Sequence, residues 1–303
     1  MNFKERCTSV FVTTNYWMVK MIFRALSWVP VSTSEKLAFG ISKIWYKLDK
    51  FHRNIAISNL ETAFGDEKSR LEIEALAKQS FYNIANMAFV SSRSFQWNTD
   101  EIRKNIRIEG VKHIDSAQKK GKGVLLLTGH VGNWEMSLFI TDLTPYCITG
   151  VYKKLKIPAV ERYVLEKRQS RGGRMYALKE AVSGILYELD QGNLIGLLMD
   201  QNARGKGVFV DFFGKKASSN KGLAQLALST GAPVVPYFVV KKDDGYVVEV
   251  LPEVSLINTG DFEADTLSNT AQYNKIIEDF IRRYPDQWLW VHRRWKTRPK
   301  NEK

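Results

Sequence analysis

Cysteine is almost missing from this chain of 303 residues: Cys7 and Cys147 are the only two. They build no disulfide framework and suit a reducing compartment. Histidine is nearly as sparse, and the four, at 52, 113, 130 and 292, are scattered without metal-ligand spacing to Cys or acidic partners, which argues against a zinc enzyme. The chain also lacks a Gly-x-Ser-x-Gly nucleophile elbow, a Gly-x-x-x-x-Gly-Lys-Ser/Thr phosphate loop and a Gly-x-Gly-x-x-Gly after a strand. Serine-elbow hydrolases, phosphate-loop NTPases and dinucleotide enzymes are thereby set aside. No repeat of fixed period and no low-complexity tract stands out.

A long uninterrupted apolar run is missing too. The stretch Val10 to Pro30 is rich in large apolar and aromatic residues, among them Phe11, Trp17, Met18, Met21, Ile22, Phe23 and Trp28, but Lys20 and Arg24 interrupt it. Two charges near mid-segment are costly in a spanning helix, and the run is too broken for a cleaved signal peptide. An amphipathic helix lying in a membrane interface is the better reading. Acidic residues are scarce at both ends: residues 1–54 carry nine Lys/Arg against three Asp/Glu, and residues 282–303 carry eight against two. Residues 152–174 add a third basic stretch, eight against two, within a total of +13. Basic ends on a nearly neutral body suggest a polyanionic surface as partner, a membrane or a nucleic acid.

The remaining composition is ordinary, with 44% hydrophobic residues, enough for one large core. From residue 105 the pattern alternates in the α/β manner. Strands are expected at 106–108, 124–128, 147–152, 175–178, 194–199 and 234–240, with helices over 179–190, 220–230 and about 270–284. Gly231 with Pro233 beyond it stops the second helix, Pro285 closes the last, and Asp244-Gly245 makes a hairpin turn into 246–251. Residues 34–97 read as mainly helical. The domain division expected is a membrane anchor over 1–30 and one domain over 31–303, helical over 31–104 and α/β over 105–303.

The richest stretch is Gly129-His130-Val131-Gly132-Asn133-Trp134-Glu135, which follows the apolar run Val124 to Thr128 and precedes a helix-compatible segment. It reads as strand, tight turn and helix start, with Asn133 as N-cap and Glu135 in the first turn. His130 then faces a cavity at the sheet edge. With His130 in the turn and Glu135 just inside the helix the two side chains can meet, and a carboxylate on one imidazole nitrogen leaves the other as a general base. No protein nucleophile lies beside this pair, so the base suits activation of a substrate's own hydroxyl.

These residues resemble the His-x4-Asp/Glu signature of the glycerolipid acyltransferase superfamily, in the form found in bacterial lipid A biosynthesis acyltransferases. The order of further blocks is similar: Val151-Tyr152-Lys153, Arg171-Gly172-Gly173-Arg174, Leu198 to Asn202, Phe212-Phe213-Gly214, Gly231 to Pro236, and the tail Trp288 to Lys296. The resemblance runs from about residue 10 to 299. It implies a central mixed sheet flanked by helices with a helical N-terminal membrane-associating extension. It also implies transfer of a fatty acyl group from an acyl carrier protein thioester to a hydroxyl of a phosphorylated glycolipid, at the cytoplasmic face of the inner membrane, without a metal or cofactor.

Under that resemblance His130 removes the hydroxyl proton and Glu135 orients the imidazole and stabilises the imidazolium. Amides near Gly132, Asn133 or the helix start hold the oxyanion, worth about 3–4 kcal/mol by analogy with measured oxyanion donors. Arg174, with Lys153 or Arg171, is expected to bind acceptor phosphates, while Asp200 and Gln201 shape the acceptor pocket or order those arginines. Two other classes compete. A nucleic-acid binder would use the interleaved tail Arg293-Arg294-Trp295-Lys296, and a non-catalytic membrane-surface protein would use the basic ends alone. Within the acyltransferase class, another lysolipid or glycolipid is the alternative acceptor.

Overall fold

Proline, glycine and capping residues cut the first hundred residues into successive helices. The structure, a computed structural model, describes the backbone of residues 3–300 and the side chains from residue 15 onward. Helix α1 (Phe3–Trp28) ends just before Pro30, which starts α2 (Val31–Leu48); Asp49 accepts from the His52 amide to begin α3 (Lys50–Phe64), and Gly65 closes it. Ser69 and Glu72 form a full capping box at the start of α4 (Arg70–Ser94), as Asn98 and Glu101 do for α5 (Thr99–Asn105).

The α/β part follows. Strand β1 (Ile106–Glu109), α6 (Val111–Gln118) and β2 (Val124–Thr128) lead to a 3-10 turn, Trp134–Phe139, and the short α7 (Ile140–Leu143). Then come β3 (Ile148–Tyr152), α8 (Pro158–Gln169), β4 (Met175–Ala177), α9 (Ala181–Asp190) and β5 (Leu194–Leu198). A small hairpin, β6 (Val208–Phe212) with β7 (Lys215–Ser219), precedes α10 (Gly222–Thr230), β8 (Val234–Lys242), β9 (Gly245–Val250) and α11 (Phe262–Arg283).

Seven strands form one sheet in the order β1-β9-β8-β2-β5-β3-β4, parallel throughout except for the β8–β9 hairpin. Central β2 is buried at every position, as a strand covered on both faces must be. Leu125 and Leu127 point into a core with α9, α10, α11 and parts of α3 and α4; Val124 and Leu126 point into the opposite core with α6, α8 and the 3-10 turn. The mixed sheet flanked by helices agrees with the expected fold class.

Three expectations need correction. The last helix begins at Phe262, eight residues before the expected start, because Asp261 caps it with bonds to the Glu263 and Ala264 amides. The β6–β7 hairpin was not foreseen; it packs as a separate two-stranded sheet against α11. The basic tail is not a solvated stripe. Arg294 is fully buried, bonded to the Ser218 carbonyl, Ser219 Oγ and Asn274 Oδ1, and Trp295 is buried in a ring cluster with Phe212, Phe213 and Trp288. An interleaved single-strand binding surface therefore does not exist at Arg294-Trp295.

Helix α1 packs on α4 and α8, through the Tyr16 hydroxyl on Glu166 and the Phe23 ring 4.5 Å from that of Tyr163. Trp17, Met18, Met21, Ile22 and Trp28 of this helix stay exposed, as do Val31, Phe39, Ile41 and Ile44 of α2. Among the described residues no helix is long and apolar enough to cross a membrane.

Candidate active site

The site is assembled by strand register. Parallel pairing sets Thr128 of β2 against Leu198 of β5, and the Met199 amide donates to the Thr128 carbonyl, so the residues two steps further on, His130 and Asp200, meet beyond the carboxyl ends of adjacent strands. That crevice is where ligands of α/β sheets commonly sit. The His130 amide donates to Asp200 Oδ2 at 2.8 Å and its Nδ1 lies 2.7 Å from Oδ1, while the Trp288 indole N–H donates to Oδ2 at 2.7 Å.

Asp200 is buried, and burial alone raises a carboxyl pKa; the His130 ring, the Trp288 indole and the His130 amide more than reverse this and hold it well below the ordinary carboxylate range. For His130, burial works against the charged form, and the Asp200 carboxylate overrides it, so its pKa is raised. An ionised Asp200 on Nδ1 fixes the tautomer with Nε2 as the acceptor. The Gln201 amide nitrogen, 3.2 Å from Nε2, is placed to donate to it.

The turn itself is clamped. Val131 bridges Trp288, the Gly132 amide donates to the Gln287 carbonyl, and the Leu289 amide donates to the His130 carbonyl. Gly132 sits at φ +59°, and a Cβ there would meet the Val239 carbonyl oxygen at 2.0 Å, so only glycine fits. Helices α3 and α4 hold the clamp: Asn59 donates to the Trp290 and His292 carbonyls, Ser80 to Trp288 and Asn83 to Asp286. His292 is drawn in as well. Its Nε2 accepts from the Asn202 amide, and burial pushes its pKa down to about 4.

Glu135 is not the carboxylate on the imidazole. Arg168 of α8 grips it with two bonds, Nε to Oε2 at 2.9 Å and Nη2 to Oε1 at 2.5 Å, and Glu135 reaches His130 through its charge alone. The direct contact expected of Glu135 belongs to Asp200, whose carboxylate bonds His130 and Trp288 and none of Lys153, Arg171 and Arg174. Arg168 was not singled out in the sequence. It lies within the basic stretch 152–174, where eight cations look alike and nothing in spacing separates a buried partner from a solvated one.

The other expected residues divide. Lys153 lines the same pocket as His130, Glu135 and Arg168. Arg174 does not: it is on the far edge strand side, exposed, paired with Glu188 at 2.9 Å. Arg171 is spent on Asp142 and the Trp97 carbonyl over the Phe139 ring. The Gly132 amide is occupied by Gln287 and so is no oxyanion donor. Asn133 makes no side-chain cap, because the chain enters a 3-10 turn instead of an α-helix and its amide points away from His130. Phe212 and Phe213 are core residues against Trp288 and Trp290.

The pocket beside His130 has a volume of about 230 Å³ and a mostly apolar wall from Trp134, Leu138, Ile148, Val151, Leu198 and Tyr237, with Gly150 and Gly196 keeping it open. Cβ atoms there would meet Met175 Sδ at 2.9 Å and the Tyr237 hydroxyl at 3.3 Å. An imidazole base whose Nε2 meets only the Gln201 amide at 3.2 Å, a neighbouring guanidinium and an apolar slot together define a site for proton abstraction beside a hydrocarbon-bearing substrate.

Comparison with known proteins agrees with that class. The family model for bacterial lipid A biosynthesis acyltransferases matches residues 3–297. The chain belongs to that family and is an acyltransferase. It is 28% identical over 257 residues to the lipid A biosynthesis palmitoleoyltransferase of Escherichia coli, covering 84% of this chain and 81% of that protein. To the lipid A biosynthesis lauroyltransferase of the same organism it is 25% identical over 291 residues, covering 94% and 93%. Among solved structures, the 1-acyl-sn-glycerophosphate acyltransferase PlsC of Thermotoga maritima aligns with TM-score 0.37 at 14% identity, covering 84% of this chain and 96% of that one.

Proposed function

We propose that the protein transfers a fatty acyl group from an acyl carrier protein thioester to a hydroxyl of a phosphorylated lipid A precursor, at the cytoplasmic face of the inner membrane. The observation that carries this reading is the Asp200–His130 pair, with Nδ1 held at 2.7 Å, on the wall of an apolar pocket. His130 Nε2 takes the proton of the acceptor hydroxyl as its oxygen attacks the thioester carbonyl. Asp200 stabilises the imidazolium that forms, as an aspartate does beside the histidine of a catalytic triad. Glu135 adds negative charge nearby.

Arg168 has five N–H donors, of which two engage Glu135, and it lines the same pocket. Its remaining donors supply charge for the tetrahedral oxyanion, the part first assigned to Gly132 and Asn133. Collapse expels the thiolate, which leaves without metal help, and the imidazolium returns the proton. The acyl chain occupies the slot floored by Met175 and Tyr237. Lys153, at the pocket rim, meets an acceptor phosphate. Membrane attachment uses the exposed apolar side of α1 and α2, where Lys20, Arg24, Lys36 and Lys43 stand among the exposed apolar residues and suit an anionic lipid surface.

The test is a product measurement. Purified protein in detergent receives carrier-protein thioesters of several chain lengths and a phosphorylated lipid A precursor, and the products are weighed by mass spectrometry. A gain of one acyl group on the precursor, favouring one chain length, is the expected result. A gain only on other lysolipids or glycolipids would replace the acceptor, and no gain on any lipid would overturn the reading.

A further inference from the structure

On the other side of the catalytic turn lies a second cavity, of about 330 Å³, between α4 and the β8–β9 hairpin. Gly132 and Asn133 form part of its wall, so the turn that carries His130 separates it from the apolar pocket. Its chemistry is unlike that pocket's. Asn133 is 4% exposed and Asn86 of α4 is 6% exposed. Asn133 Oδ1 and Asn86 Oδ1 have no hydrogen-bond partner, and Asn133 Nδ2, although it lies beside the Tyr246 hydroxyl, completes no bond of good geometry. Buried amides left in this state call for a polar occupant.

The unmet atoms include both a donor and acceptors, so the occupant must both accept and donate. Hydroxyl groups do this; a fully ionised phosphate monoester cannot donate and an ammonium cannot accept. Both lysines in its wall are engaged by carboxylates, Lys241 by Glu35 at 3.5 Å and Lys242 by Glu249 at 2.8 Å, and Asp243 lies beside them. Tyr82 and Tyr246 complete the wall with phenol rings, surfaces that suit the C–H faces of a sugar. Past Tyr82 and Gln79, which both share, the cavity adjoins an open groove along α2 lined by Ser32, Glu35, Lys36 and Phe39.

We propose that this cavity is a saccharide site, which takes a sugar ring of the acceptor through Asn86 and Asn133 while the acyl group occupies the pocket on the opposite side of His130. The assignment rests on the glycolipid reading given above. The acceptor hydroxyl then approaches the turn from the polar side and the thioester from the apolar side.

The test uses the full chain in detergent with two water-soluble probes, the acceptor's phosphorylated glycan stripped of its acyl chains, and inorganic phosphate. Calorimetry should give saturable glycan binding that phosphate does not displace. Asn86→Ala should weaken it at least tenfold, and Tyr246→Phe, which keeps the ring, should weaken it less. In turnover, Asn86→Ala should raise KM for the acceptor about tenfold with KM for the thioester unchanged. Absence of glycan binding, displacement by phosphate alone, or binding and acceptor KM that neither variant alters would overturn the site, even where acyl transfer proceeds. Glycan binding that obeys these rules in a protein that acylates no glycolipid would keep the site and sink the function proposed above.

Discussion

At the scale of single residues, the site turns on a proton held at one atom. The neutral imidazole is the working form, and the His130 pKa is raised above the ordinary imidazole value because Asp200 outweighs burial, so kcat/KM should fall as pH drops through that raised value. In Asp200→Asn the raising charge is gone and the acidic limb should move to lower pH. The same variant should lose about 10⁴-fold in kcat, as with the analogous change in a catalytic triad. A pH–rate profile of both proteins checks the two effects together; an unmoved limb would mean that Asp200 is only a structural anchor. On the folding side, Asp200 contributes stability that is fully present above its unfolded pKa, near 3.8, and is lost as pH falls towards its depressed folded value.

Elements explain what the sequence disclosed and what it hid. Strand β2 was legible because five apolar or β-prone residues ran together before glycine, and His130 because the turn after it announced itself. Asp200 was legible as a residue near a strand end and illegible in its role, because its partner lies 70 positions away and only the β2–β5 register brings them together. Glu135 looked like the partner since it was near in sequence; the 3-10 turn and Arg168 took it elsewhere. Trp288 gave no local sign of its bond to Asp200. The clamp around the turn yields a prediction at this scale. Gly132→Ala adds a methyl where the Val239 carbonyl already stands, at a positive φ, and should cost about 2–3 kcal/mol in denaturant unfolding. Wild-type stability in that variant would show that the turn relaxes freely and is not held in place by β8.

On the scale of the whole molecule, α1 and α2 both expose large apolar side chains and the catalytic turn is framed by two pockets of opposite polarity. The α1 surface should bind vesicles containing anionic phospholipid. Replacing Met18, Met21 and Ile22 with serine should lower the bound fraction in a flotation assay several-fold, with turnover on detergent-dispersed substrate retained. Unchanged flotation would move the attachment to other parts of the chain. The basic tail, legible only as a charge run, contributes to the core: Arg294 and the tryptophans 288, 290 and 295 build the wall behind Asp200. Charge counting could not show this, since a buried guanidinium and a solvated one have the same letter.

The central claim is that His130 performs acyl transfer to a glycolipid hydroxyl. The most direct measurement follows transfer of a labelled acyl group from carrier-protein thioester to the lipid A precursor by wild type and His130→Ala, at equal concentration and with unfolding curves recorded for both. Wild type should turn over, and the variant should lose at least about 10³-fold with folding and vesicle binding intact. Turnover by a folded His130→Ala protein at the wild-type rate would contradict that claim.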